Sequence, residues 1–294
     1  MVDNDASDET IGGSITTSRR TLLKGTGATV VGATGLAGAA GTASAYGHEI
    51  DVIEVDDGGW FSGWSADGSL PVEDEVFIFI HGWFGDSTVE SQADDVLSSL
   101  QSGGYDPDAA VAIEWPGTTL NFYGAEADTE DVGDMVADLV EDFYDAGGGN
   151  VRLVGHSLGG RCVYWTATKL SSGYEIETVA GLGAAADGSE ICDDPWNPGL
   201  DNACDVRNYH SEDDSTVGSA YGGWGDTALG TEGAGCDPGS SYTDVDVTDS
   251  VGSHMGFLGD SAVGSDLADA IASGSCDDDG DDDDDDDDDG WGWF

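Results

Sequence analysis

A serine bracketed by glycines stands at Gly155-His156-Ser157-Leu158-Gly159. The apolar run Val151-Arg152-Leu153-Val154 precedes it, and a stretch that reads as a helix, Leu158 to Leu170, follows. That context is what an activated serine requires. A sharp strand-to-helix turn pushes the hydroxyl out at the top of a sheet, the glycines allow close backbone approach, and the helix N-terminus aims amides at developing negative charge. A tetrahedral intermediate needs two N–H donors near its oxygen. The Leu158 amide is one. The loop His81-Gly82-Trp83-Phe84-Gly85, after another apolar run, is the expected source of the second, with Trp83 preferred to Phe84. A general base is also needed, and the chain has five His. His48 precedes the core, His81 belongs to the oxyanion loop and His156 is inside the serine turn, which leaves His210 and His254. His254 lies late, in Ser250-Val251-Gly252-Ser253-His254-Met255-Gly256, a short loop suited to bringing a base over Ser157. The acid that orients it is drawn from Asp214, its neighbour Asp213, and Asp187, all of which follow strand candidates. With 61 acidic residues in the chain, the ordinary fate of any one Asp is a solvated surface charge.

These groups must be held by a framework, and the hydrophobic pattern supplies one. Val76 to Ile80 is a continuous apolar run of five, read as a buried central strand. Glu49 to Val55, Ala110 to Glu114, Val151 to Val154, Thr178 to Leu182, Val206 to Tyr209 and Tyr242 to Val247 are further strand candidates, and Gly58 to Leu70 is turn-rich. Helices are expected over Ser87 to Leu100, from Thr129 to the Gly147-Gly148-Gly149 stop, over Leu158 to Leu170 and around Leu267 to Ile271. Val132, Met135, Val136, Leu139, Val140 and Phe143 mark one face of the second of these. Strands alternating with helices predict an α/β fold, a mainly parallel central sheet covered by helices on both faces.

The stretch from Phe77 to Leu170 resembles the α/β-hydrolase lipases, especially the pancreatic-type group. It carries Ile80-His81-Gly82-Trp83 after a strand, Ile113-Glu114-Trp115, Tyr123-Gly124-Ala125 before a helix with Val132-Gly133, and then Gly155 to Gly160. The resemblance implies an α/β-hydrolase fold and the chain order nucleophile, acid, base. It also implies a Ser157-Asp214-His254 triad, with Asp214 favoured by the D-x-x-V setting Asp214-Ser215-Thr216-Val217. One departure is plain. The lipase group places its acid directly after a Gly-Leu pair, whereas here Gly181-Leu182 is followed by Gly183, which moves the acid to the next strand. No long apolar insertion of the kind that forms an interfacial lid is present, so esterase activity is expected over true lipase activity. The implied function is a carboxylesterase or lipase acting on a small-molecule or lipid ester through an acyl-enzyme, without cofactor or metal. The same triad serves amidases, thioesterases and polyester depolymerases, and a non-catalytic surface-binding protein on this fold is the reading from another class.

The remaining chain concerns location and solvent. Residues 1–45 resemble a twin-arginine signal segment. Ser18-Arg19-Arg20-Thr21-Leu22-Leu23-Lys24 precedes a weakly apolar Gly- and Ala-rich stretch, and Ala43-Ser44-Ala45 offers a cleavage site. This implies the twin-arginine export machinery as a partner and an extracellular or cell-surface location. The catalytic domain is expected over 46–275. The segment 276–294, with Asp277 to Asp289 broken by one Gly and an aromatic end, is expected to be disordered, the functional alternative being cation binding or surface attachment. Beyond the signal the chain carries 4 bases against 57 acids, a balance that excludes nucleic acid and anionic membranes as partners. Such a composition resembles proteins of salt-loving archaea. Five Cys permit disulfides outside the cell, with Cys192–Cys204 and Cys236–Cys276 expected as pairs and Cys162 as a buried free thiol. Self-repulsion at this charge strains a compact fold, and the Debye length falls from about 10 Å at 0.1 M salt to about 3 Å at 1 M. The melting temperature is therefore expected to rise steeply between 0.1 M and molar KCl. Equal melting temperatures by scanning calorimetry would refute the salt-adapted reading.

Overall fold

The computed structural model describes residues 49–59, 63–222, 227–274 and 276. The twin-arginine segment and the acidic tail from Asp277 onward lie outside those residues, whereas Cys276, expected above to belong to the tail, is described and bonded to Cys204. Eight strands form a single sheet: β1 (Ile50–Asp57), β2 (Trp64–Asp67), β3 (Glu75–Ile80), β4 (Ala109–Glu114), β5 (Asn150–His156), β6 (Ile176–Leu182), β7 (Ala203–His210) and β8 (Tyr242–Asp246). Their spatial order is β2-β1-β4-β3-β5-β6-β7-β8, and every neighbouring pair is parallel except β1 with β2. The expected mainly parallel sheet is thus observed. β2 was not expected: four residues between glycine-rich turns carry too short an alternation to register as a strand.

Side-chain alternation along the central strands builds two cores from one sheet. On β3, Val76, Ile78 and Ile80 enter one core, which also holds α2 (Phe122–Asp145) and α3 (Leu158–Lys169). Phe77 and Phe79 point the other way and pack with α1 (Val89–Ser102) and α7 (Ser261–Ser273). That is why β3 reads as unbroken hydrophobicity: both of its faces are buried. Helix α2 begins at Phe122, seven positions before Thr129. Its first two turns face the core with Ala125 and Thr129, both fully buried but too small or polar to register as an apolar stripe.

Short helices α4 (Trp196–Gly199), α5 (Ser215–Ala220) and α6 (Leu229–Glu232) lie in the connections around β7. The four Lys and Arg of the described residues are all paired: Arg152 with Glu75, Arg161 with Glu190, Lys169 with Glu130 and Arg207 with Asp266, at 2.6–2.8 Å. No described helix is long and apolar enough to cross a membrane.

The disulfides correct the expectation from sequence. Cys192 joins Cys236 and Cys204 joins Cys276, with Cα–Cα separations of 6.5 and 5.2 Å, while Cys162 is a free, buried thiol. Nearness along the chain misleads here. Cys192 closes a 3₁₀ turn ahead of α4, and Cys204 is already inside β7, so the intervening helical turns carry the two apart. Each bridge closes a long loop, of 44 and 72 residues in sequence separation. Replacing the pair Cys192 and Cys236 by Ser is expected to cost about 2–4 kcal/mol of unfolding free energy. Denaturant melts in molar salt measure this, and non-reducing peptide mapping checks the pairing.

Candidate active site

The serine turn is strained in the way its chemistry requires. Ser157 has φ 60° and ψ −119°, a left-handed backbone that a non-glycine residue adopts only when its surroundings hold it there. Three hydrogen bonds do so. The Ser157 amide donates to Leu182 O at 3.0 Å, and its carbonyl accepts from the amides of Gly160 at 2.9 Å and Ala185 at 3.0 Å. A side chain at Gly155 would run into the Gly159 carbonyl, and one at Gly159 into Ile80 O, so both glycines are required by close approach. Leu158 opens α3, which places its amide at the helix N-terminus beside the serine.

The His81–Gly85 loop lies against this turn. A Cβ on Gly82 would sit 2.6 Å from Ser157 Cβ, so the backbone entering Trp83 passes directly beside Ser157. The Phe84 amide donates to Gly117 O at 3.3 Å and is already engaged. His81 is buried and pins the loop: its Nδ1 donates to Gly82 O at 2.7 Å, and its Nε2 accepts from the Trp115 amide at 3.1 Å. Burial lowers its pKa and keeps it neutral. The Trp115 indole donates back to His81 O at 2.8 Å.

On the other side of the turn, His254 begins a 3₁₀ turn (His254–Phe257) after β8. Its Nδ1 lies 2.7 Å from Asp214 Oδ2. Asp214 is fully buried in the turn between β7 and α5 and caps α5, its Oδ1 accepting from the amides of Thr216 at 3.0 Å and Val217 at 3.2 Å. Each carboxylate oxygen therefore has its own task. Neither rival acid is shown in contact with His254. Asp187 Oδ1 accepts from the amide and hydroxyl of Ser189, and Asp213 is exposed, with its amide donating to Ser211 Oγ. His210 Nδ1 lies 3.2 Å from Thr231 O, away from this cluster. The space beside Gly183 explains the shifted acid. Gly183 has φ 54°, and a Cβ there would meet Phe257 and come 3.2 Å from Asp214 Oδ2. The carboxylate from the turn after β7 thus occupies the neighbourhood that a residue after β6 would otherwise enter.

His156 closes the cluster. It is buried, its Nε2 donates to the His254 carbonyl at 2.9 Å, and the two rings lie 4.6 Å apart at 37°. Burial, reinforced by the His254 ring, pushes its pKa down to about 3. A pocket of about 340 Å³ opens over Ser157 and His254, walled by Trp83, Phe122, Ala185, Val217, Ala220 and Tyr221. Of the aromatic residues that flank the motifs in sequence, Trp83 and Phe122 line it and Trp115 is core. Phe84 and Tyr123 are exposed beside them, with ring centroids 4.5 Å from Trp83 and 6.0 Å from Phe122. Tyr221, whose hydroxyl donates to Glu126 at 2.6 Å, was missed from sequence, although Val217, Ala220 and Tyr221 follow the Asp214 cap at one-face helical spacing. Among the described residues, Glu175 with Cys204 and Cys276 is a grouping of metal-type donors, but its two sulfurs are joined in a disulfide and are poor ligands.

The model of the Alpha/beta hydrolase family matches residues 77–279, more than half of the chain. The chain belongs to the α/β-hydrolase family. No curated protein sequence matches it. Among solved structures, this α/β hydrolase is similar to a Listeria innocua gene product at 13% identity, covering 69% of this chain and 96% of that one with a TM-score of 0.45. It is similar to the mature Bacillus licheniformis lipase BlEst2 at 16% identity, covering 65% and 89% with a TM-score of 0.38. It is similar also to a Trichoderma reesei cutinase crystallised with a phosphonate inhibitor, at 12% identity, covering 69% and 79% with a TM-score of 0.33.

The double duty of Asp214 separates two of its variants. Asp214→Ala removes the cap acceptor of α5 and is expected to cost about 0.5–2 kcal/mol of stability. Asp214→Asn keeps an acceptor oxygen and is expected to melt close to the wild type. Equal urea midpoints for the wild type and Asp214→Ala would show that the cap contributes nothing.

Proposed function

We propose that this α/β hydrolase is a serine carboxylesterase working through Ser157, His254 and Asp214. The observation that carries the reading is the 2.7 Å contact between His254 Nδ1 and a fully buried Asp214, with His254 and the strained Ser157 facing one apolar pocket. Ser157 Oγ attacks the acyl carbon while His254 Nε2 takes its proton, and Asp214 holds the ring in the tautomer that leaves Nε2 free. The amides of Trp83 and Leu158 donate to the oxyanion. The leaving alcohol receives the proton from His254. Water then attacks the acyl-enzyme, giving its proton to the same imidazole, and the acid departs as Ser157 Oγ is reprotonated. The engaged Phe84 amide supports Trp83 as the second donor.

The apolar walls of the pocket support an ester with an apolar acyl group as substrate. The ordered motifs from Phe77 to Leu170 support a place near the pancreatic-type lipases, and Gly183 marks the difference from them. Export by the twin-arginine route and a working life in molar salt complete the proposal. They rest on residues 1–45 and on the charge balance.

A chromogenic ester series assayed in molar salt, with amide and thioester analogues alongside, tests the reading. Ester hydrolysis is expected to dominate, and Ser157→Ala is expected to lose about 10⁵–10⁶-fold in kcat. Asp214→Asn is expected to lose about 10³–10⁴-fold, and Asp187→Asn to stay near wild type. No turnover on any acyl length, or turnover that survives Ser157→Ala, would sink the proposal.

A further inference from the structure

His156 is buried inside the serine turn, and the reaction above gives its side chain no task. A buried imidazole beside a reacting serine is costly unless its polar atoms are used. Its Nε2 makes a 2.9 Å hydrogen bond to the backbone carbonyl of His254, a residue 98 positions later. A carbonyl only accepts, so the ring must carry its proton on Nε2. The two imidazoles also face each other at 4.6 Å. His254 is thereby held at two points. Asp214, from the turn after β7, fixes its ring at Nδ1, and His156, from the end of β5, fixes its backbone.

We propose that His156 is a positioning residue for the general base, holding the His254 loop so that the imidazole stays over Ser157. The proposal rests on the serine-hydrolase reading for the role of His254. The position requires a donor that reaches the carbonyl while remaining uncharged. A cation 4.6 Å from His254 would oppose the imidazolium that forms there in the transition state. A buried neutral imidazole avoids that repulsion, and a Lys or Arg would not.

Three variants test this in molar salt: His156→Leu, which removes the donor; His156→Gln, whose amide nitrogen can take the place of Nε2; and His156→Met, an unbranched replacement without an N–H for use if His156→Leu does not fold. The variants lacking the donor are expected to lose about 10- to 100-fold in kcat with KM nearly unchanged, the scale set by a small misplacement of a catalytic group. His156→Gln is expected to recover most of that loss. Proton NMR supplies a readout that needs no substrate. The downfield resonance of the His254 Nδ1 proton, assigned by its loss in Asp214→Ala, is expected in the wild type and in His156→Gln. It is expected to broaden or vanish in His156→Leu. If the wild type hydrolyses no ester, the functional reading fails while the resonance still tests the positioning. An unchanged resonance and kcat in the donor-less variants, or a loss that His156→Gln does not relieve, would overturn the inference.

Discussion

The site depends on one forced contact, the docking of the Ser157 turn between two neighbouring strand ends. A residue at φ 60° cannot hold that backbone alone. The turn is held because its amide bonds the last residue of β6 and its carbonyl takes amides from both α3 and the loop after β6. The same turn has the Gly82 backbone pressed against it on one side and His156 reaching the His254 loop on the other. Strain at the serine is thus supported by the parallel ladder of β3, β5 and β6, the most buried part of the sheet. Rigid elements place the reacting atoms, and loops only deliver them to the rim.

Electrostatics around the cluster follow from what is missing nearby. Among the described residues every Lys and Arg is paired with a carboxylate. Asp214 accepts hydrogen bonds from two helix amides and one imidazole, and among the described residues no guanidinium or ammonium is paired with it. His81 and His156, near Ser157, are both kept neutral by burial. Under the proposed mechanism, the positive charge that develops has one place to form, on His254.

Much of this was legible in the residues, for identifiable reasons. Ser157 announces itself because its turn needs glycines at fixed offsets between a strand and a helix. His254 follows from chain order once three other His are tied to the core entry, the oxyanion loop and the serine turn. The Asp214 setting is legible because D-x-x-V is also a helix-cap pattern: the same carboxylate that meets His254 Nδ1 begins α5. Other features had no local signal. The disulfides join strand and loop positions that only the fold brings together. The first turns of α2 bury Ala125 and Thr129 rather than large apolar residues. Strand β2 is short and antiparallel at the sheet edge, and the carbonyl that occupies His156 lies on a residue far along the chain.

The glycine after β6 has a wider meaning. A side chain at position 183 would come within 3.2 Å of the Asp214 carboxylate, so the segments after β6 and β7 compete for a single volume beside His254. Acids at both positions would be like charges in contact, and one would be forced to hold a proton. The two addresses for the acid are therefore mutually exclusive. Here the carboxylate that meets His254 comes from the segment after β7, and the position after β6 is left without a side chain.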